Sequence, residues 1–184
     1  MPTSATSFAT GLILCATSFS LGVLYSSWPY DYWTLWTPGA DAETFARSLR
    51  HYQAWSSMPQ FLYHIHHAVI ALGLTGMLIK LYKPSESNKL FDGASLFLYM
   101  MAIAIYLTNL RQGSYAVMSG NWGEVDEHTG INVIAASQVF IVLILLGVAG
   151  LQLGQFYAEW ENDRQVRKAL EQERKEKEQS KKEK

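Results

Sequence analysis

The chain has 184 residues, with 15 Lys and Arg against 16 Asp and Glu, 49% apolar and 17% charged residues. Its length suits about one domain, but its charges are segregated. None precedes Asp31, and none falls between Arg50 and Lys80, between Asp92 and Arg111, or between Glu127 and Glu159. A soluble domain needs charge on the wet face of every element, so this distribution excludes one.

A charge at the middle of a bilayer costs about 2.5–3.5 kcal/mol on insertion scales, and a hydrocarbon core of about 30 Å takes roughly 20 helical residues. The charge-free runs therefore predict an all-α integral membrane protein with four transmembrane helices, at about 8–25, 59–81, 90–110 and 131–157. Residues 1–158 form the membrane domain and 159–184 a charged tail. The first span carries Cys15, the single cysteine, so no intramolecular disulfide can form. The first basic residue is Arg47, which leaves no basic region ahead of a cleavable signal, and the first span reads as retained.

The first loop, 26–58, opens with WPYDYWTLWTPG, a turn-prone stretch expected to be irregular. Asp41 then has the position of an N-cap. Phe45, Leu49, Tyr52 and Trp55 recur at helical spacing, with Glu43 and Arg47 as an i,i+4 pair on the other face. The second span contains His64-Ile65-His66-His67, and His64 and His67 share a helical face. They are the metal or haem candidates, but the other spans offer no His or Glu, and an Asp only at the edge of the third, to complete a ligand set. No cofactor and no nucleic acid are expected.

The third loop, from Arg111, is rich in Gly and reads as solvated. Its Glu124, Asp126 and Glu127 lack the alternating spacing of a calcium loop. The fourth span carries Gly147, Gly150 and Gly154, and Gly150-x-x-x-Gly154 is a small-residue packing motif. Asn132, Gln138, Gln152 and Gln155 can bond between helices, and Gly73 and Gly76 lie in the second span. These small and amide residues are the candidates for helix packing or for contact with a foreign helix, and Gly150 and Gly154 for a homodimer. No carboxylate is expected inside the bundle and no nucleophile–base pair stands out, which argues against an enzyme and against an ion path.

All six Trp lie outside the four windows, where indole favours the membrane–water boundary. The second loop and the tail hold 12 Lys and Arg, the first and third loops three. The positive-inside rule then places both termini in the cytosol. The tail is mixed in sign and should continue the fourth helix or fray, with basic residues near enough to meet membrane lipid. It ends Lys181-Lys182-Glu183-Lys184, and Lys181 and Lys182 stand where a dilysine retrieval address would be read by a cytosolic coat.

Several segments carry a resemblance: WPYDYWTLWTP, with Pro29, Tyr30 and Asp31; RHYQ, with Arg50, His51 and Tyr52; LFDGASLFLY through to Asn109; GNWGEV, with Trp122, Gly123 and Glu124; GINVIAA; and LQLGQFYAEW. Together they resemble the fungal endoplasmic reticulum membrane chaperones, or secretory components, dedicated to amino-acid permeases. The resemblance covers about residues 10–160 and leaves out the tail. It implies residence in the endoplasmic reticulum membrane, amino-acid permeases as clients, and loading of those clients into export vesicles through coat components. The rivals that the residues leave open are a small transporter or channel subunit and a His-ligated metal or haem protein.

Overall fold

The computed structural model describes residues 4–82 and 89–182, so Lys83 of the second loop lies outside the described residues. The described residues form α1 (Ser4–Tyr25), α2 (Trp28–Leu35), α3 (Ala42–Ser56), α4 (Gln60–Tyr82), α5 (Lys89–Ile105), a π-helical turn (Tyr106–Leu110), α6 (Arg111–Ser119) and α7 (Glu127–Lys182). Four segments are long and apolar enough to cross a membrane: Thr6–Tyr25, Gln60–Tyr82, Lys89–Ser119 and Glu127–Lys175. They pack as a ring in which α1 contacts α4, α4 contacts α5, α5 contacts α7 and α7 returns to α1. One end of the ring carries the beginning of α1 and the far half of α7. The other, the loop end, carries α2, α3 and α6.

Two glycines set the tightest contact in the ring. A Cβ on Gly76 would stand 2.8 Å from the Ala9 carbonyl oxygen and 3.0 Å from Ile13 Cγ1, and one on Gly73 would stand 2.8 Å from Ala16 Cβ. Small residues let two backbones approach where lipid supplies no hydrophobic drive. An apolar cluster of Ile13, Met77, Tyr99, Val142, Leu145 and Val148 packs together in the centre. Outward faces carry exposed Leu72, Phe97, Phe140, Leu143, Leu146 and Leu153, as lipid requires.

The loop end departs from the sequence expectation in three places. WPYDYW is helical, because Pro29 occupies the first turn of α2, where its missing N–H costs nothing. The third span does not stop at Arg111. It continues through the wide π turn into α6, and ends at Gly120, whose φ of +68° closes the helix in the left-handed region. The run to Ser119 is held to α7 at Gly113, where a Cβ would stand 2.7 Å from Ile134 Cδ1. Finally, Asp41 does cap α3 by accepting from Thr44 N at 2.8 Å, but Glu43 pairs with Arg50 at 2.7 Å rather than with Arg47. Both partners of that pair are well exposed, and such pairs add little.

Gly150 has no atom within 4 Å of where its Cβ would stand, so the Gly150-x-x-x-Gly154 step is not a close contact inside the bundle at its first residue. Gly76→Ala should destabilise the folded bundle by about 1–3 kcal/mol through overpacking. Gly150→Ala should leave stability unchanged or slightly raised, given alanine's better helix propensity. Thermal unfolding of the two purified variants distinguishes these outcomes.

Candidate functional site

At the end that carries the termini, a charged pair lies inside the bundle. Lys80, in the last turn of α4, and Asp92, in the first turn of α5, have side chains 3% and 4% exposed, with Nζ 3.1 Å from Oδ1. Lys80 Nζ also donates to Gln152 Oε1 and to Gln155 Oε1, each at 2.7 Å. The ammonium thus donates to two amide oxygens and has the Asp92 carboxylate beside it as counter-charge, although Asp92 Oδ1 accepts no hydrogen bond among the described residues. The two amides pass the network on. Gln152 Nε2 donates to Ser95 Oγ at 3.0 Å, and Gln155 Nε2 reaches Asp92 Oδ2 at 3.4 Å and Glu159 Oε1 at 3.3 Å.

This corrects the expectation that no carboxylate lies inside the bundle. Lys80 counts among the second-loop charges and Asp92 opens a charge-free run, whereas α4 carries Lys80 inward. The available signal was the pair Gln152 and Gln155, three residues apart on one face of an otherwise apolar span.

The loop end holds a second polar cluster. Asp31 of α2 is 1% exposed, and its Oδ1 accepts from the Tyr52 hydroxyl of α3. Gln138 Nε2 of α7 donates to the same hydroxyl at 3.2 Å. Tyr30 stacks on His51 with ring centroids 4.0 Å apart, and His51 Nε2 lies 3.1 Å from Ser27 Oγ. The fold thus brings Tyr30, Asp31, His51 and Tyr52 together from two separate sequence segments. Asp31 Oδ2 has no hydrogen-bond partner among the described residues. Burial pushes the Asp31 carboxyl up to about 6, opposed by the Tyr52 hydroxyl, and burial pushes the His51 imidazole down.

The other sequence candidates are dispersed. Asn109 Nδ2 donates to Ser137 Oγ at 2.9 Å. Trp122 lies against Gly130, where a Cβ would meet its ring edge at 2.6 Å. Its Nε1 and Asn132 Oδ1 are buried without a partner among the described residues. Gly123 takes φ +70° in the loop before α7, Glu124 is exposed, and Arg50 faces solvent. Gly147 and Gly154 look toward α5, where a Cβ would stand at a tight 3.3 Å from Leu98 Cδ1 and at an ordinary 3.5 Å from Phe91 Cε1. The side chains of Lys181 and Lys182 lie outside the described residues.

A cleft of about 1020 Å³ opens at the loop end, bounded by the second half of α1, the end of α3, the first half of α4, the π turn with α6, and α7. Tyr52 and Gln138 form part of its wall, and Phe19, Leu62 and Ile65 give it an apolar side. The histidines belong to it. His67 Nε2 meets the Tyr106 hydroxyl at 3.1 Å, and His66 lies between Phe19 and Tyr106, with centroids 6.2 and 5.3 Å away. His64 and His67 meet no further donors, and no group of three or more His, Cys, Asp or Glu that could hold a metal ion occurs among the described residues.

Residues 4–184 match the family model described as the ER membrane protein SH3, an SHR3 chaperone. The chain is also similar to the secretory component protein psh3 of Schizosaccharomyces pombe, with 27% identity over 145 residues, which cover 79% of this chain and 67% of that protein. No solved structure matches it.

Two outcomes follow from the polar clusters. Lys80→Met alone should cost about 3–5 kcal/mol by stranding Asp92, whereas the joint change Lys80→Met, Asp92→Leu should come within about 1 kcal/mol of the parent. A thermal-stability double-mutant cycle in detergent reads the difference. For Asp31, the folded value lies above the unfolded one of about 3.9, so its stabilising protonated form is complete below that value and lost as pH rises through about 6. His51 acts in the opposite sense, because its folded value is depressed. The Asp31→Asn variant should therefore gain stability relative to the parent, on the order of 1–3 kcal/mol, as pH is raised from 5 to 7.5. Hydrogen exchange of α2 and α3 across that range checks it.

Proposed function

The chain belongs to the SHR3 chaperone family of endoplasmic reticulum membrane proteins, and from that premise we propose that its clients are amino-acid permeases, which it shields during folding and helps to load into export vesicles. Membership makes it a non-enzymatic, multi-pass chaperone of the endoplasmic reticulum membrane.

The observation that carries this reading is the cleft. It lies at the depth of the spans, and its lining combines apolar side chains with hydroxyl, imidazole and amide groups. Permease helices contain broken and polar segments built for substrate binding. Until all helices have assembled, those polar groups face hydrocarbon without partners, at several kcal/mol each. A bundle left open on one side, with both kinds of lining, can hold such a segment and later release it.

In the orientation proposed here both termini face the cytosol, which puts the loop end and the cleft mouth on the lumenal side. The change of composition at Glu159 falls inside α7, which continues unbroken to Lys182 and projects its mixed charges away from the bundle, within reach of the vesicle coat and of lipid headgroups. Glu173 and Lys177 form one of the i,i+4 pairs along it, at 3.0 Å.

In cells lacking this chain, amino-acid permeases should accumulate in the endoplasmic reticulum while unrelated membrane proteins reach the surface. Normal surface delivery of the permeases would overturn the client assignment. Removing residues 162–184 should leave permeases soluble and non-aggregated but slow their exit, which separates shielding from export.

A further inference from the structure

Polar side chains line both walls of the cleft at helical spacing. On α4, Gln60, Tyr63, His64 and His67 occupy positions i, i+3, i+4 and i+7 and all line it, so they form a stripe about 10 Å long. Across the cleft stand Tyr106 from the π turn and Arg111, Ser114 and Tyr115 from α6. His67 and Tyr106 close the inner end by bonding each other. Towards the mouth, Arg111 Nη2 reaches the Tyr115 hydroxyl at 3.3 Å and its guanidinium lies 5.9 Å from that ring.

The charge of the cleft is one-sided. Among the described residues that line it, Arg111 carries the formal charge, and neither Asp nor Glu is present. Among the described residues, no carboxylate pairs with this exposed arginine. An occupant that supplies a hydrogen-bond acceptor, above all a charged one, gains where a donor or a cation loses. The size fits as well, since about 1020 Å³ is roughly two turns of a helix with its side chains.

We propose that the cleft recognises a transmembrane segment of a client at the point where that segment presents an acceptor, a carboxylate or the carbonyls of a broken helix turn, with Arg111 as the recognising group. The proposal rests on the reading of the cleft as the client site and names the chemistry that the client must show. A phospholipid would place its acceptors at one level, whereas the α4 stripe is spread along the axis, which suits a helix with a polar face. The π turn is the element that makes this arrangement, because it sets Tyr106 and Arg111 on the same wall of the cleft.

The test uses the full chain in phosphatidylcholine nanodiscs with a photoreactive residue at Leu62, which lines the apolar wall. The probes are synthetic 23-residue Leu/Ala transmembrane peptides with Glu, Leu or Lys at one position two turns from an end. The Glu peptide should cross-link about tenfold more than the Leu peptide and the Lys peptide less than either. Arg111→Gln should bring the Glu and Leu peptides within about twofold, Arg111→Lys should restore part of the preference, and Arg50→Gln, outside the cleft, should change nothing. Equal yields for the three peptides, or a preference that survives Arg111→Gln, overturn the proposal. So does a result in which phosphatidylserine is retained by the cleft and shuts out the Glu peptide, which makes the occupant a lipid. In cells, a permease defect on deleting the chain that Arg111→Gln does not reproduce would leave the chaperone reading standing and remove this inference alone.

Discussion

The bundle depends on one ammonium group that has to find a counter-charge and two amide acceptors away from water. Lys80 meets Asp92, Gln152 and Gln155, and no one helix supplies all three. A desolvated lysine is tolerable only when it is hydrogen-bonded and a counter-charge is near. The network can therefore form in one relative register of α4, α5 and α7, and a slide of one turn would strand a charge in hydrocarbon. Its contribution is to specificity more than to net stability, since a well-packed apolar replacement of both partners would do as well energetically.

That constraint allows the opposite end to be incomplete. With the end that carries the termini locked by the Lys80 network, and α1 laid against α4 over Gly73 and Gly76, the first half of α4 can stand off α6 without the bundle coming apart. The loop helices are tied down separately. The Tyr52 hydroxyl binds α2 to α3 through Asp31 and α3 to α7 through Gln138, while Phe45 stacks on His128 with centroids 4.0 Å apart. A protein that must hold partly assembled helices needs such a division between a rigid half and a half with unfilled polar lining. The buried carboxyl of Asp31, with one oxygen unpartnered, is the strained point of the cap.

The membership in an endoplasmic reticulum chaperone family was legible because its signals are local strings of residues, such as WPYDYW and GNWGEV, that survive in the chain without reference to a partner. The four spans were legible for a different reason. The cost of a mid-membrane charge acts on each residue independently of the fold, so the charge-free windows point directly to the spans. The same reasoning misread Lys80, Asp92 and Arg111. Whether a charge at the edge of a window snorkels to water, pairs inside the bundle or rides on a continuing helix depends on what faces it, and a one-dimensional window contains no facing residue.

By itself the sequence determined the class of the molecule, its number of spans, the N-cap at Asp41 and the absence of an intramolecular disulfide. Each of these follows from solvation, local backbone bonding or the supply of one residue type. Only the tertiary structure decided that Asp31 and Tyr52, 21 residues apart, share a proton-bearing contact, that Lys80 answers to Gln152 and Gln155, more than 70 residues away, and that the third span bends through a π turn to leave a cleft. The physical reason is common to all three. A polar group inside a membrane protein must be satisfied by whichever helix arrives opposite it, and that choice is made by the packing of the whole ring.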